Sequence, residues 1–585
     1  MIKTLMASLR EYKKASLLSP LFVTLEVVME VIIPLLMARL IDQGLNKGNM
    51  RATVTTGIVM LAVAAIALLF GALAGKYCAT ASTGLAKNLR HDIFAKVQDF
   101  SFSNIDHFST GGLVTRMTTD ITNVQMAYML IVRVAVRAPL MLIFSLVMSL
   151  TINPQLASTF LIAIPAMGVG LFFIVRAAHP VFQKVFRVYD RLNNIVQENL
   201  RGIRVVKSFV REDYEVKKFN SVSNDIYEKF SRAEKLVAFN SPLMQIVMYA
   251  CMITLAWFGA RFIVGGALTT GELTSLITYV MQILMSLMML SMIFVMMTIA
   301  QASGERIVDV LTTESSLTGA AHPVMALKDG SVAFDNVSFS YQNNPDKLSL
   351  KNVNLAIASG ETIGIIGGTG SAKSSLVQLI PRLYDATVGT VYVGGVDVRE
   401  IDLKTLRTDV AMVLQKNMLF SGTIADNLRW GKPDATDAEL WRACEIACAD
   451  EFIKDMPDGL ATMIEQGGSN VSGGQKQRLC IARALLAQPK ILIMDDSTSA
   501  VDTKTDAKIR SALGTVIPGT TTLIIAQRIG SVQEADRIIV MDGGTVSDFG
   551  THDELLMRSP IYREVYESQT KTSPDAAKKG DEAHV

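Results

Sequence analysis

Little in this chain speaks for disulfides, a cleaved leader or nucleic acid. Its five cysteines (Cys78, Cys251, Cys444, Cys448 and Cys480) show no framework spacing, which excludes a disulfide scaffold and fits reduced cytosolic thiols. Cys444 and Cys448 lie four apart on an expected helix with no second Cys or His pair nearby, so no metal site is expected there. Neither sign of charge is in excess: the formal net charge is +2 over 585 residues, which leaves no basic footprint for DNA or RNA. Lys3, Arg10, Lys13 and Lys14 precede the first apolar run, but no small-residue cleavage site follows. That pattern predicts an uncleaved first membrane helix with a short amphipathic elbow helix at 1–16 ahead of it. Proline and glycine clusters are missing from two long stretches at about 79–123 and 178–241. Both therefore read as helices that continue beyond a bilayer rather than as loops.

What the chain has in quantity is hydrophobic residues, half of the total, and the excess is confined to residues 1–300. Six segments there reach the ~20 apolar residues that a span requires: 17–42, 53–78, 124–152, 155–177, 242–264 and 273–300. The connections at 44–51, 153–154 and 265–272 are short. The other two are long, and the second carries Lys and Arg from Lys184 through Lys235. Basic residues favour the cytoplasm, so the long segments and both termini are expected inside. The expected division is an elbow at 1–16, a transmembrane domain at 17–300, a polar linker at 301–328, a soluble domain at 329–570 and a polar, disordered tail at 571–585.

Charges inside a span are costly unless paired or wet. The first span has Glu26 and Glu30, the third Arg133 and Arg137, each pair on one helix face. Counted from the outer ends at ~1.5 Å per residue, the two pairs differ in depth by only ~3 Å. A structural Glu–Arg cluster between the first and third helices is expected. The alternative is that Glu26 or Glu30 faces a central cavity and attracts cationic substrates. The last span is rich in methionine (Met281, Met285, Met288, Met289, Met292, Met296, Met297), which suits packing, lipid contact or an adaptable binding wall. Met285 and Met289, with Tyr279 and Gln282 as polar or aromatic handles, are the candidate substrate-lining residues.

The soluble half is organised around two short stretches. Gly367-Gly368-Thr369-Gly370-Ser371-Ala372-Lys373-Ser374-Ser375 follows a strand at 362–366 and precedes an apolar helix. In such a loop backbone N–H groups wrap phosphates, the lysine (Lys373) neutralises the outer ones and the Ser374 hydroxyl ligates magnesium. ATP and Mg2+ are the cofactors this predicts. Ala372 stands where the pattern wants Gly; helical backbone angles at that position would accommodate it, and ATP binding is expected to survive. About 100 residues on, Val471-Ser472-Gly473-Gly474-Gln475 opens a helix whose small residues let its N-terminus approach a phosphate. The strand 491–495 then ends in Asp495, a carboxylate placed to hold magnesium or its water shell. The fold class expected is an α-helical six-span transmembrane domain followed by an α/β nucleotide-binding domain with a phosphate-loop core.

These runs resemble the phosphate loop, signature, Walker B strand and D-loop (through Asp502) of the ATP-binding-cassette (ABC) family. The resemblance implies that Tyr341 stacks on adenine. It implies that Gln415 touches magnesium and couples to the membrane domain, and that Glu465-Gln466-Gly467 forms a cross-contact loop. The run from Glu198 through Glu215 and the stretch 101–120 resemble the two coupling regions of exporters with six helices per chain. Two positions depart from the family. The residue after Asp495, normally Glu, is Asp496, shorter in reach by ~1.5 Å. The switch histidine is Gln527, which can hydrogen-bond but carries no ionisable proton near neutral pH. Misplacing a general base by ~1 Å can cost ~100-fold in rate.

Cassettes of this family work as head-to-tail pairs, each site built from one chain's phosphate loop and the other's signature. Two copies of this chain would lack both Glu and His at each site. The sequence therefore resembles the degenerate subunit of bacterial heterodimeric ABC exporters of the multidrug type. That resemblance implies a different half-transporter as partner, with intact Glu and His, and a multi-pass place in the lipid bilayer of a bacterial inner membrane. It also implies an amphipathic or drug-like small-molecule substrate. An ATP-gated regulatory or channel-like subunit, or a lipid or peptide exporter, is the alternative.

Overall fold

The computed structural model describes residues 1–497, 500–516 and 519–571; the expected tail lies, but for residue 571, outside them. Contacts divide the chain into two compact units. One is Met1–Gln98 with Ser109–Thr313, the other Asp99–Phe108 with the chain from Glu314 onward.

The first unit is helical. Its elements are α1 (Lys13–Arg39), α2 (Met50–Gln98), α3 (Ile121–Ile152), α4 (Pro154–Arg201), α5 (Glu212–Ala238), α6 (Asn240–Val264) and α7 (Thr270–Thr312). Among the described residues six helices are long and apolar enough to cross a membrane. Local chemistry sets their turns. The Asn153 side chain accepts from the amides of Gln155 and Leu156 with Pro154 at the first helical position, where its missing N–H is not needed. Thr269 and Glu272 close a capping box on α7. α2 runs on to Gln98, and α4 continues through its internal Pro165 and Pro180 to Arg201, both well past the apolar stretches.

The first helix, Ile2–Ala7, and a short turn at Arg10–Tyr12 precede α1. Ser8 and Arg10 both bond to Asp92 of α2, at 2.7 Å each, and Asn88 donates to the Ser8 carbonyl. The Tyr12 ring lies so close to Gly84 that a β-carbon there would meet it at 2.4 Å, so glycine is what admits this contact.

Deep in the helical unit, the Arg137 guanidinium donates to Glu26 Oε1 at 2.5 Å and to both oxygens of Glu30 at 2.9 and 2.8 Å. The cluster expected between the first and third spans is present, but it is built on one arginine. Arg133 makes no ion pair among the described residues. It lies instead beside Gly75 of α2, where a β-carbon would sit 3.7 Å from its Nη1. The expected substrate handles are also placed differently. Tyr279 is fully buried and donates to the Val31 carbonyl at 2.7 Å, and Gln282 accepts from Ser145 at 2.9 Å. Both tie α7 to its neighbours; burial closes off Tyr279 as a handle in open space, while Gln282 is half-buried and commits only its Oε1 to this bond. Met285 and Met289 are exposed in this chain.

The second unit holds two main sheets. The strands are β1 (Val332–Phe339), β2 (Leu350–Ile357), β3 (Thr362–Gly367), β4 (Val388–Val393), β5 (Val396–Asp397), β6 (Val410–Val413), β7 (Gly422–Thr423), β8 (Met463–Ile464), β9 (Ile491–Asp495), β10 (Thr521–Ile525), β11 (Arg537–Asp542) and β12 (Thr545–Gly550). An antiparallel sheet has the order β2-β1-β4-β5, a six-stranded one the order β12-β11-β3-β10-β9-β6, and β7-β8 is a small ribbon. In the larger sheet β11, β3, β10, β9 and β6 run parallel and only the edge strand β12 is reversed. Its central strands are uninterrupted apolar runs, as burial on both faces demands. One core lies between this sheet and the antiparallel one; a second packs helices around Leu440, Ile453, Ile481 and Leu485.

The expected coupling stretch at 101–120 divides between the units at Ser109, whose backbone turns left-handed (φ 57°). Residues before it join the soluble unit: Ser101 and Ser316 share a 2.6 Å hydrogen bond, and Tyr384 donates to Asp106 at 2.8 Å. Residues after it join the helical unit, where Asp120 pairs with Arg306.

Candidate nucleotide site

Parallel strands end on one edge of their sheet, and ligands of α/β folds gather there. Here the C-terminal ends of β3, β9, β10 and β6 lead into the phosphate loop, Asp495, Gln527 and Gln415 respectively. In register, Ile525 pairs with both Asp495 and Ile365, so the ends are level.

The phosphate loop leaves β3 through Gly367 and Gly370 (φ 84°) and enters α8 (Lys373–Gln378) at Ala372. Ala372 is left-handed, φ 68° and ψ 25°, where helical angles were expected. This is a correction with a cost, since a β-carbon in that region crowds the backbone by about 1 kcal/mol or more. Gly368, Thr369 and Gly370 are exposed and Ser371 is buried. The Lys373 ammonium folds back onto the carbonyls of Gly367 and Gly368, both at 2.8 Å, and the Ser371 hydroxyl at 3.3 Å. Burial holds its pKa below the usual lysine value, with Asp495 and Asp496 acting against that shift.

Ser374 Oγ donates to Asp495 Oδ1 at 3.0 Å. Asp495 is only 3% exposed, and that burial raises its carboxyl above the ordinary range, partly offset by the Ser374 bond. A hydroxyl and a carboxylate converging at a strand end are hard oxygen donors of the kind magnesium takes alongside nucleotide phosphates. No group of three or more His, Cys, Asp or Glu among the described residues makes an all-protein metal cage. Tyr341 is half exposed; its hydroxyl meets Ser375 Oγ at 2.9 Å and Gln378 at 3.1 Å, with its ring edge-on to Tyr384. Gln415 is exposed, two residues beyond β6.

The two departing positions meet. Gln527 Nε2 donates to Asp496 Oδ2 at 2.8 Å, and Asp496 itself is left-handed (φ 49°). The Gln527 carbonyl accepts from Gln569 on the last helix at 2.9 Å, and Gln569 in turn accepts from the Ile529 amide. Sequence reasoning missed Gln569 and Tyr384, because a lone Gln in a C-terminal helix and a lone Tyr carry no motif.

The signature helix α9 (Gly473–Leu486) is fully furnished. Ser472 Oγ accepts from the Gln475 amide and Gln475 Oε1 from the Ser472 amide, so two end donors are satisfied reciprocally. Gly473 is exposed, and a β-carbon on Gly474 would stand 2.8 Å from the Ala500 carbonyl. Val471 is half-buried ahead of them. Asp502 caps the next helix, accepting from the Thr505 amide at 3.0 Å; that bond holds its carboxyl below the usual range. Thr498 and Ser499 of the same run lie outside the described residues. Among the described residues no hydrogen bond joins 471–475 to the phosphate loop.

A phosphate loop, a buried strand-end aspartate and a capped glycine-rich helix on one α/β unit define an ATP-binding cassette, here carried on six membrane-spanning helices. The chain belongs to the ABC transporter family. The model of the ABC transporter transmembrane region matches residues 16–287 and that of the ABC transporter domain residues 350–499. Over 564 residues the chain is 37% identical to the uncharacterized ABC transporter ATP-binding protein YfiB of Bacillus subtilis, covering 96% of this chain and 97% of that one. It is 34% identical over 462 residues to a probable multidrug resistance ABC transporter ATP-binding/permease protein, YheI, of the same organism, 79% of each. It is 31% identical over 486 residues to an ATP-dependent lipid A-core flippase of Desulfotalea psychrophila, 83% of this chain and 84% of that. A solved bacterial Atm1-family ABC exporter with ATP bound matches with a TM-score of 0.83 at 24% identity, over 95% of this chain and 99% of that one, which shows the shared fold. The chain is thus a multi-pass, ATP-driven ABC exporter of the half-transporter type.

Proposed function

We propose that this chain is the ATP-retaining half of a heterodimeric exporter, residing in a bacterial inner membrane with both termini in the cytoplasm. Its own site binds ATP, with Ser374, Asp495 and Gln415 as the groups that would hold Mg2+, and splits it slowly. Its signature at 472–475 completes the active site of a different half-transporter that has Glu and His at the corresponding positions. The observation that carries this is the asymmetry within one domain. The signature keeps its capping box and its close glycine approach, while the attacking-water position has a short carboxylate tied to an uncharged amide. A base must reach the water it activates to within hydrogen-bond distance. Gln527, the side chain that donates to Asp496 Oδ2, cannot take up the proton.

The cargo is amphipathic or drug-like, moved from the cytoplasm or inner leaflet outward. The relatives named for multidrug resistance and for lipid A-core flipping bracket that class. The exposed Met285 and Met289 offer side chains that adapt to many shapes. The test is ATPase by the chain purified alone, and again with a candidate partner half-transporter, each with and without amphipathic cations. Slow turnover alone and fast, drug-stimulated turnover in the pair is expected. Brisk hydrolysis by the chain paired only with itself would overturn the assignment.

A further inference from the structure

We propose that the α1–α2 turn holds the phosphate headgroup of an anionic phospholipid in the outer leaflet; the outward placement rests on the topology proposed above. The ends of α1 and α2 enclose a cleft of 350 Å³ whose lining includes Arg39, Arg51, Gln43, Thr56, Leu36 and Val59. Arg39 is in the last turn of α1 and Arg51 in the first turn of α2, and both are exposed. Among the described residues neither guanidinium forms an ion pair. The Arg39 side chain gives one hydrogen bond, Nε to Gln43 Oε1 at 3.2 Å, which leaves both Nη groups as donors. Asp42, the nearest carboxylate in sequence, is committed elsewhere. It accepts from Thr269 Oγ at 2.5 Å and from the Gly271 amide at 3.0 Å, both at the start of α7.

Two forked cations sharing a cleft without an acid are matched to a phosphate, which guanidinium binds bidentately. Arginine is disfavoured on the outer side of short membrane loops, so two such residues there call for a local anion. The lining beneath them favours a lipid over a free ion. Leu36 lies one turn deeper on α1 and Val59 about two turns, ~12 Å, deeper on α2, where acyl chains begin. A free phosphate has no use for that apolar floor.

The test uses delipidated full-length chain, offered equal amounts of dioleoylphosphatidylglycerol and dioleoylphosphatidylcholine and read by native mass spectrometry. Preferential retention of the glycerol lipid is expected, competed by millimolar inorganic phosphate. Arg39→Gln with Arg51→Gln should weaken retention roughly 20- to 30-fold, and Arg39→Lys with Arg51→Lys should restore part of it. Equal retention of the two lipids, or unchanged retention in the Gln pair, would overturn the proposal. So would phosphate alone raising the melting temperature with no lipid held, which would mean a free-anion site. A separate arm places a thiol at Lys47→Cys, the five natural cysteines being buried. Labelling by an impermeant maleimide from outside is expected. Labelling from the cytoplasmic face only would overturn the outward placement, independently of lipid retention.

Discussion

Two of the molecule's clusters of charged side chains, one in each unit, are closed in opposite ways. Among the helices, Arg137 spends its fork on Glu26 and Glu30; charge answers charge, and the outcome is architecture. At the nucleotide site, Lys373 leans on two carbonyls and a hydroxyl, Asp495 on a serine, and Asp496 on an amide. Bonds to neutral partners are weaker than those between opposite charges, so a polyphosphate and its cation can displace them. Burial alone does not separate a structural cluster from a working one. The charge of the partners does.

The largest effect that could break this contrast is at Arg137. Arg137→Gln leaves Glu26, with its side chain 8% exposed, without its cation, a loss of about 3–5 kcal/mol for a broken buried pair. Little folded protein should survive gel filtration. The triple neutral variant with Glu26→Gln and Glu30→Gln should recover much of it. Full stability of Arg137→Gln would show that the cluster is not structural.

Next in size is Asp496→Glu with Gln527→His, which restores both reach and an ionisable switch. ATPase of the chain purified alone should rise by up to about 100-fold, with no change in melting temperature. A flat rate would place the defect elsewhere.

Asp495→Asn sharpens the contrast through pH. Because the folded carboxyl is raised by burial, the native state holds that proton more tightly than the unfolded chain. Asp495 therefore costs stability as pH rises from the ordinary carboxylate range through its raised pKa. The Asn variant should melt higher than the parent in ligand-free protein at neutral pH, the gain fading on acidification, while hydrolysis is lost. A lower melting temperature at neutral pH would mean that the Ser374 bond outweighs burial.

The smallest effect is at Ala372. Gly relieves the left-handed strain, less the extra entropy of the unfolded chain, so Ala372→Gly should tighten ATP binding by roughly two- to fivefold. Unchanged or weaker binding by calorimetry would show that the loop carries no strain.

The nucleotide motifs were legible because they are local. Phosphate loop, glycine-rich helix start and strand-end carboxylate each depend on residues within a few positions of one another, and their spacing follows from strand and helix geometry. The helical extensions were legible for the same reason, as long stretches without proline or glycine clusters, and the single Pro180 inside the extension of α4 does not stop that helix. Tyr279 and Gln282 were not, because which face of α7 meets α1 and α3 depends on packing with helices over 100 residues away. The division of 101–120 at Ser109 was hidden too, as was the hold of Gln569 on Gln527, since both arise from contacts between distant segments.

By itself, then, the sequence determined the order of elements, the span count and the chemistry at the ends of the parallel strands. Those follow from hydrophobic periodicity and short-range hydrogen bonding, which the chain carries wherever it is. Tertiary structure alone decided that Arg137 rather than Arg133 takes both glutamates, that Ala372 is left-handed, and that Asp496 and Gln527 bond each other. Each of these depends on where separate segments come to rest, and a difference of an ångström or a single backbone angle changes the outcome.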